Sequence, residues 1–420
     1  MDLSALDPDS PVLWLWLDPD MVTISSIDVQ QPDYQWQYQV RYERNVIAQL
    51  EALHVLPNFC SLQTHVAILD VIENEQYYYR VRCAACHCLA KVANKLITAL
   101  TGPPALILLF RKMFGSKSCA TIPRQNNFSN LQQYFVMLAI ISSIAELRGP
   151  NGKCLMDTCI FLLDLLKYND NSQNKYSDDC YRATLVDALG RVVGMPESAS
   201  FLHFFQSPTA SASDLFEGGA GGVPEVASNL VRRMLNTLLT QLSLDVLRPS
   251  YGRVVTWKCL EALMQFYISR VITCDFEIWL KFAACGNFSA TRVRAAGCLV
   301  RLLKVTKDVG LFSKLLDLLD DKHDTAFRYR VIRLLCDHPP FTPKERVGNP
   351  LYCKDTFDRL CSMFIDIGPF ADFWFHGALL DFIFLTFDRD RQLFLNLTSI
   401  HPPEAMLNRS AIAVTNESTL

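Results

Sequence analysis

Acidic side chains are missing from one long stretch of this chain. Between Glu75 and Glu146 there is no aspartate or glutamate, although the chain has 43 acidic residues among its 420. The same stretch carries eight lysines and arginines, whereas the whole chain has a net charge of -3. The rest of the chain must therefore be acidic on balance, and any binding site for a polyanion must be local.

The sequence also lacks the features of several protein classes. Its 17 glycines and 20 prolines are too few for a collagen-like or low-complexity chain. The longest apolar run, Tyr134 to Ala145, is shorter than the roughly 20 residues that a membrane-spanning helix requires. The amino terminus is acidic, and the apolar segment Val12 to Leu17 is too short for a secretory signal. We therefore expect a soluble chain that is not exported and does not contact a membrane.

The common catalytic motifs are absent as well. None of the eight histidines is followed by glutamate, so the H-E-x-x-H motif of zinc peptidases is missing. There is no G-x-S-x-G nucleophile turn, no phosphate-binding G-x-x-x-x-G-K and no dinucleotide-binding G-x-G-x-x-G. We expect no catalytic residue, no cofactor and no small-molecule substrate.

The 15 cysteines include a possible ligand cluster. Cys83-Ala-Ala-Cys-His87 matches the C-x-x-C-H pattern of haem attachment, and Cys83, Cys86, His87 and Cys88 could also be read as zinc ligands. Haem attachment requires an exported compartment, and adjacent residues of a helix point in different directions, which suits zinc poorly. The sequence favours a cysteine-rich helix without metal, whose thiols stay free in a reducing compartment.

The first 40 residues differ from the rest of the chain. The apolar segment Val12 to Leu17 is followed by a turn at Asp18-Pro-Asp20 and by period-two alternation over Val22 to Val29. This pattern predicts two β-strands within residues 1–40. Because two strands cannot bury both faces in water, we expect them to be the remnant of an incomplete β-domain.

From about Tyr42 the apolar residues recur every three or four positions, which predicts helices over 41–400. Helices led by arginine recur, and spacings of 41 and 36 residues are typical of HEAT or armadillo helix-pair solenoids. We expect the recurring arginines to be structural, each fixed by an aspartate or a carbonyl of a neighbouring repeat: Arg82, Arg182, Arg253, Arg294 and Arg330. A glycine- and serine-rich segment at 206–228 predicts a flexible insertion, and 401–420 a disordered tail.

The basic side chains of the acid-free stretch are the candidate binding residues. Three interpretations remain open: contacts with DNA phosphates, an interface with an acidic protein, or chance clustering. No pattern of interleaved aromatic and basic residues indicates sequence-specific base recognition. The candidate contacts are Lys91, Lys95, Arg111, Lys112, Lys117 and Arg124.

Several polar strings that helix packing does not explain carry a family resemblance. They include Ser10-Pro-Val-Leu-Trp14, Trp36-Gln-Tyr-Gln-Val-Arg-Tyr-Glu-Arg44, Tyr79-Arg-Val-Arg82, Thr101-Gly-Pro-Pro104 and Leu165-Leu-Lys-Tyr-Asn-Asp-Asn171. The chain resembles the TBP-associated factor 2 family, the aminopeptidase-like subunit of transcription factor TFIID, over most of its length to about Leu397. The resemblance implies that the strand pair belongs to an aminopeptidase-like β-domain and that the helical part is a HEAT-like array.

The same resemblance implies a function. It leads us to expect a nuclear, non-catalytic scaffold in preinitiation-complex assembly, with other TFIID subunits, including TBP-associated factors, and core-promoter DNA as partners. Two alternatives remain open at the sequence level. One is the carboxyl-terminal helical domain of a zinc aminopeptidase that lacks its catalytic part, and the other is a generic HEAT adaptor.

Overall fold

The computed structural model describes most of the chain. The described residues are 12–20, 22–23, 27–95, 104–119, 122–149, 152, 155–194, 224–269, 272, 276–320, 324–345, 348–366 and 372–387. They form two compact units, residues 1–273 and residues 274–420. The predicted tail 401–420 and most of the predicted insertion, 206–223, lie outside the described residues, whereas residues 224–228 belong to a helix.

The first unit is built from helix pairs. Its described helices are α1 Asp33–Tyr42, α2 Val46–Val55, α3 Leu62–Glu73, α4 Tyr79–Lys95, α5 Pro104–Phe114, α6 Leu131–Ile144, α7 Met156–Lys167, α8 Asp179–Val193, α9 Pro224–Leu247 and α10 Val254–Ile268. Four pairs pack together, namely α3 with α4, α5 with α6, α7 with α8, and α9 with α10. The second helices of these pairs, α4, α6, α8 and α10, pack against one another in a row.

The second unit is also built from packed helices. Helix α11 pairs with α12 and α15 with α16, α13 packs against α12, and α12, α14 and α16 are consecutive neighbours. Its described helices are α11 Glu277–Ala283, α12 Ser289–Thr306, α13 Val309–Asp317, α14 Thr325–Asp337, α15 Lys354–Asp366 and α16 Phe373–Phe387. Helix α14 ends directly before His338-Pro-Pro340, because a proline cannot donate the next helical hydrogen bond.

The strand pair predicted for residues 1–40 is wrong for the part that the structure describes. Residues 12–20, 22–23 and 27–32 contain no strand, and helix begins at Asp33 rather than near Tyr42. The side-chain amide of Gln31 donates to the carbonyl oxygen of Leu15 and accepts from its N–H, both at 2.9 Å. These bonds occupy the backbone groups that a neighbouring strand would have paired.

The early helix α1 escaped the sequence pattern because its buried face is narrow. Trp36, Gln39 and Val40 are its buried residues, and Trp36 is only 1% exposed. Full burial of a large apolar side chain contributes about 1.5–3 kcal/mol, so this one residue anchors a helix that is otherwise polar. The indole Nε1–H of Trp36 donates to the carbonyl of Gln31 at 3.2 Å and fixes the approach to the helix.

A buried basic side chain occupies the fourth position of several second helices. Arg82 in α4, Arg292 in α12 and Arg328 in α14 are 2%, 7% and 2% exposed. Each donates its Nε–H to a backbone carbonyl at or just past the end of the preceding helix, at Ile72 (2.9 Å), Ala283 (3.2 Å) and Leu319 (2.7 Å), respectively. Carbonyls at a helix end lack partners within the helix, so the guanidinium satisfies them and links the helix end to the following helix.

In the second unit the same arginines also reach the next pair. Arg292 donates through Nη1 to the carboxylate of Asp324, whose other oxygen accepts the N–H of Phe327 at the start of α14. The guanidinium of Arg292 lies over the Phe327 ring at 4.1 Å from its centroid. One arginine thereby joins its own turn to the start of the next second helix, α14.

Arg328 repeats this arrangement one pair later. Its Nη1 lies 3.5 Å from Asp372, which caps α16 by accepting from the N–H of Phe375 at 3.2 Å. Its guanidinium lies 4.0 Å from the centroid of the Phe375 ring. In α16 the fourth position holds His376, whose Nε2 lies 3.1 Å from the carbonyl of Phe364 in α15.

The buried arginines stand two residues before two of the arginines that were predicted to be structural. Arg294 and Arg330 are exposed, and Arg292 and Arg328, two residues earlier, hold the buried positions. Two residues correspond to about 200° around an α-helix, so alternate arginines lie on opposite faces.

The remaining predicted arginines make other contacts. The Nε and Nη2 atoms of Arg182 lie 4.0 Å from Asp178 and Asp179 of its own first turn, respectively. Arg253, directly before α10, donates from Nη1 to the carbonyl of Asp245 at 2.6 Å.

Replacing Arg328 by leucine should strongly destabilise the second unit. The variant leaves the carboxylate of Asp372 and the carbonyl of Leu319 buried without the guanidinium, and breaking a buried ion pair costs about 3–5 kcal/mol. The matched control is Arg330→Leu on the same helix, which removes an exposed charge and should change stability by no more than about 0.5 kcal/mol. Urea unfolding followed by circular dichroism measures both; equal midpoints for the two variants would contradict the assignment.

Candidate interaction surface

The basic residues of the acid-free stretch divide between two places in the first unit. Lys91 and Lys95 are exposed on α4, and Lys95 donates from Nζ to the carbonyl of Pro57 at 2.6 Å. Arg82 is buried in the same helix, where burial lowers its pKa. With Arg80, α4 therefore offers three exposed cations, of which Lys95 is engaged with the backbone of a neighbouring turn.

The other four candidates lie together at the carboxyl end of α5. Arg111 and Lys112 are in its last turn, and Lys117 and Arg124 are exposed in the loop that follows. The loop folds back through a bridge between Gly115 and Pro123, and Arg124 donates from Nη2 to the carbonyl of Met113. The structure thus brings Arg111, Lys112, Lys117 and Arg124 to one place, here called the α5 basic end.

Cations at a helix carboxyl terminus are favoured because the last carbonyls carry partial negative charge. Part of the α5 basic end is nevertheless engaged. Lys112 forms an ion pair with Glu73 at 2.7 Å, and Arg111 lies over the ring of Phe161 at 5.6 Å from its centroid. The Nε of Arg111 is buried without a hydrogen-bond partner.

The first acidic residue after the acid-free stretch, Glu146, contacts α4 in the folded chain. Glu146 accepts from Nδ1 of His87 at 2.9 Å, and Nη1 of Arg191 lies 3.5 Å from the same carboxylate oxygen. Nε of Arg191 lies 2.9 Å from Asp187, and Nζ of Lys258 lies 2.7 Å from that carboxylate on its other side. The five side chains form an alternating chain of charges across α4, the end of α6, α8 and α10, here called the charge row.

Further contacts hold the charge row in place. Nη2 of Arg191 donates to the hydroxyl of Ser142 at 2.9 Å, and Nζ of Lys258 lies 3.0 Å from Glu261 and 4.6 Å from the centre of the Trp257 ring. Because the members are only partly exposed, screening by salt is weaker than for surface pairs. The row fixes the register of four consecutive second helices.

The surroundings of Glu146 shift the pKa of its carboxyl group. Burial raises its pKa, but the hydrogen bond from His87 and the charges of His87, Arg191 and Lys91 outweigh burial. The net effect holds the pKa of Glu146 below its ordinary value of 4.5. Folding therefore favours the ionised carboxylate, which stabilises the protein at neutral pH.

Most of the cysteine side chains in the α4 cluster are buried inside the first unit. Cys86 and Cys88 are buried and Cys83 is half-buried. Burial raises the pKa of Cys83 to about 11 and that of Cys88 to about 12, so both thiols stay protonated near neutral pH. His87 points to Glu146, and no group of three potential metal ligands occurs among the described residues.

Sequence reasoning missed the charge row. Glu146 and His87 are separated by 59 residues, Lys258 and Asp187 by 71, and no local spacing signals such pairs. Only the pair Asp187 and Arg191, four residues apart on one helix, was visible as a helical ion pair.

These features define a class of protein before any comparison. The chain consists of stacked helix pairs that present charged surfaces, and none of its described helices has the length and apolar content needed to cross a membrane. This is the architecture of a helical-repeat protein.

Comparison with known proteins shows which family this is. The family model described as "TAF2-like, TPR repeats" matches residues 33–411, so the chain belongs to this family. The description assigns the repeats to the TPR class rather than to the predicted HEAT or armadillo class; all three are built from packed helices.

Similar proteins carry the name transcription initiation factor TFIID subunit 2. The protein of that name from Gallus gallus is 34% identical over 400 residues, which cover 95% of this chain and 32% of the relative. The one from Drosophila melanogaster is 39% identical over 346 residues, covering 82% of this chain and 27% of the relative. The Saccharomyces cerevisiae protein is 34% identical over 186 residues, covering 43% of this chain and 13% of the relative. The chain spans about a third or less of the length of these relatives.

Replacing Glu146 by glutamine should reduce stability in a pH-dependent way. Because folding lowers the pKa of Glu146, its contribution is present above its ordinary pKa of 4.5 and is lost as pH falls through the lower folded value. We expect wild type to unfold at a higher temperature than Glu146→Gln at pH 7, with the gap closing in acid. Glu73→Gln, in the exposed pair with Lys112, is the control and should have little effect at either pH. A gap that is constant with pH would contradict the role of the charge.

Proposed function

We propose that this chain serves as a non-catalytic scaffold within TFIID and supports assembly of the RNA polymerase II preinitiation complex in the nucleus. The observation that carries the proposal is membership of the TAF2-like family over residues 33–411, together with relatives named TFIID subunit 2. Stacked helix pairs suit this role, because repeat arrays offer long surfaces to which several partners can bind at once. We also infer that the pairs of each unit continue as an α-solenoid.

Within this role, other TFIID subunits, including TBP-associated factors, are the proposed protein partners. The helices supply such partners with surface rather than with a reaction centre. The charged side chains of the charge row are mostly engaged with one another, so we assign them to stability. Exposed cations outside that row are the better candidates for partner contacts.

We further propose that the α5 basic end contacts core-promoter DNA. Arg111, Lys112, Lys117 and Arg124 lie within one helix turn and the adjoining loop, and no acidic residue occurs between Glu75 and Glu146. Lys112 would exchange Glu73 for a phosphate, an exchange of one exposed ion pair for another that costs little. Contacts of this kind recognise the DNA backbone and are independent of sequence.

Membership in the complex can be tested directly. A tagged copy of this chain, purified from nuclear extract, should recover TBP and its associated factors, identified by mass spectrometry. The same extract without the tagged chain is the control for nonspecific recovery. A chain that elutes alone, while a tagged full-length TFIID subunit 2 recovers the complex in parallel, would contradict the proposal that this part suffices.

DNA binding by the α5 basic end has its own signature. Charge reversal of Arg111, Lys112, Lys117 and Arg124 to glutamate should weaken DNA binding equally for different promoter sequences. The slope of log affinity against log salt should flatten by about 0.9 for each phosphate that the protein no longer neutralises.

The matched control reverses four exposed cations elsewhere in the first unit, Lys167, Lys175, Arg232 and Arg233. Fluorescence anisotropy at several salt concentrations measures both variants, and thermal unfolding verifies that they are folded. An unchanged slope in the α5 variant, or an equal weakening in the control, would remove the DNA assignment.

A further inference from the structure

Charge is segregated between the two sets of helices in the second unit. The second helices α12, α14 and α16 together carry seven lysines and arginines and two aspartates. The first helices α11, α13 and α15 carry four basic and five acidic residues. The excess positive charge therefore lies on the second helices, and helix α12 contains no acidic residue at all.

Burial separates two groups among these seven cations. Arg292 and Arg328 are buried and are neutralised by Asp324 and Asp372, which stand just before α14 and α16. The other five cations of these helices are exposed to solvent: Arg294, Arg301, Lys304, Arg330 and Arg333. Two aspartates share these helices, of which Asp381 lies 3.8 Å from Arg333. Five exposed cations and two aspartates give these three helices an excess of positive side chains at their exposed faces.

Two of the exposed arginines stand in equivalent positions. Arg294 and Arg330 each follow the buried arginine of their helix by two residues, and α12 and α14 are direct neighbours. A Cβ added at Gly297 would lie 3.6 Å from Leu334, which shows how closely these helices approach on the same side. Packed helix axes are about 8–10 Å apart, so Arg294 and Arg330 form a column with roughly that spacing.

Exposed aromatic rings border the column on the next helix. Phe373 and Trp374 at the start of α16 are 61% and 63% exposed, although large aromatic side chains are usually buried. The rings of Phe373 and Trp374 have centroids 4.6 Å apart, and Trp374 lies 6.1 Å from Tyr329, the neighbour of Arg330 in sequence. These three rings form an apolar edge, here called the aromatic edge, beside the basic column.

We propose that this surface binds an extended acidic protein segment that crosses α12, α14 and α16 in turn. In a polyproline II conformation, residues i and i+3 lie on one side and are about 9 Å apart, which matches the spacing of the arginine column. Acidic side chains at i and i+3 meet Arg294 and Arg330. An apolar side chain at i+6 reaches the aromatic edge, where it packs on the ring of Trp374.

The surface fits a protein segment better than a nucleic acid. Asp337 and Asp381 lie on the same helices, and fixed carboxylates repel a continuous phosphate backbone, whereas a peptide can place its acidic residues to avoid them. The aromatic edge adds a contact for an apolar side chain. The proposal deepens the scaffold role and rests on it, because it names the chemistry of one partner.

The test uses the full chain and a defined probe. The probe is a fluorescein-labelled peptide, Gly-Glu-Pro-Ser-Glu-Pro-Ser-Leu-Gly, in which two glutamates and a leucine follow the proposed spacing. Fluorescence anisotropy at low salt, where charge contacts are least screened, measures its affinity. We expect wild type to bind it and the double variant Arg294→Glu with Arg330→Glu to bind on the order of tenfold more weakly.

Control variants separate this surface from general charge effects. Lys281→Glu with Lys314→Glu makes the same charge change on the first helices α11 and α13 and should leave the affinity for the peptide unchanged. Trp374→Ala should weaken binding of the peptide without altering the charge of the surface. This variant tests the proposal even if the double arginine variant does not fold. A version of the peptide with glutamine in place of glutamate should bind more weakly than the probe.

Three outcomes would overturn the proposal. These are failure of wild type to bind the peptide, equal weakening in the arginine and lysine variants, or a short duplex DNA that binds better than the peptide and depends on Arg294 and Arg330. Because this assay requires no other TFIID subunit, its failure is distinct from a failure of the chain to enter the complex.

Discussion

The buried arginine at the fourth position of the second helices is the side chain on which the array depends. Arg292 and Arg328 each meet two needs that a helix pair cannot meet alone. They satisfy a carbonyl at or just past the end of the preceding helix, and they neutralise an aspartate that caps the next second helix. A lysine could not make all of these contacts. The planar guanidinium of arginine donates in several directions at once and also stacks on a ring, whereas the ammonium group of lysine acts as a compact point charge. The geometry of one side chain therefore sets both the turn within a pair and the step between pairs.

Charge in this protein is balanced in space rather than along the chain. The acid-free stretch gives residues 76–145 a large positive charge in sequence, but Glu73 and Glu146, just outside its limits, pair with Lys112 and His87. A count of charges along the sequence therefore includes basic side chains that form ion pairs in the folded protein. The cations that remain at the surface are fewer and lie in smaller groups, of which the α5 basic end is one.

Much of the fold could be predicted from the sequence, and the reasons for the exceptions are physical. Helical periodicity and recurring arginines predicted helix pairs, and the stop at His338-Pro-Pro340 was readable from proline chemistry. The helix at Asp33–Tyr42 was missed because only Trp36, Gln39 and Val40 face inward, and Gln39 reads as a surface residue.

The exceptions in the candidate sites have a different origin. Buried and exposed arginines could not be told apart, because Arg292 and Arg294 differ only in the face of the helix on which they lie, and sequence similarity does not distinguish the faces. Contacts over tens of residues, such as His87 with Glu146, carry no local signal at all. The α5 basic end was within reach because its members are close together in sequence.

The shared use of Asp324 has a consequence for how such a chain can evolve. Its carboxylate caps the helix that starts at Thr325 and also receives Arg292 from the pair before it. A deletion of part of a pair would leave either an uncapped helix or a buried cation without its anion. Removal or duplication of the whole segment from α13 to α14 keeps both partners matched, since this segment brings its own Asp324 and its own Arg328. Changes in the length of this part of the array should therefore come in whole repeats.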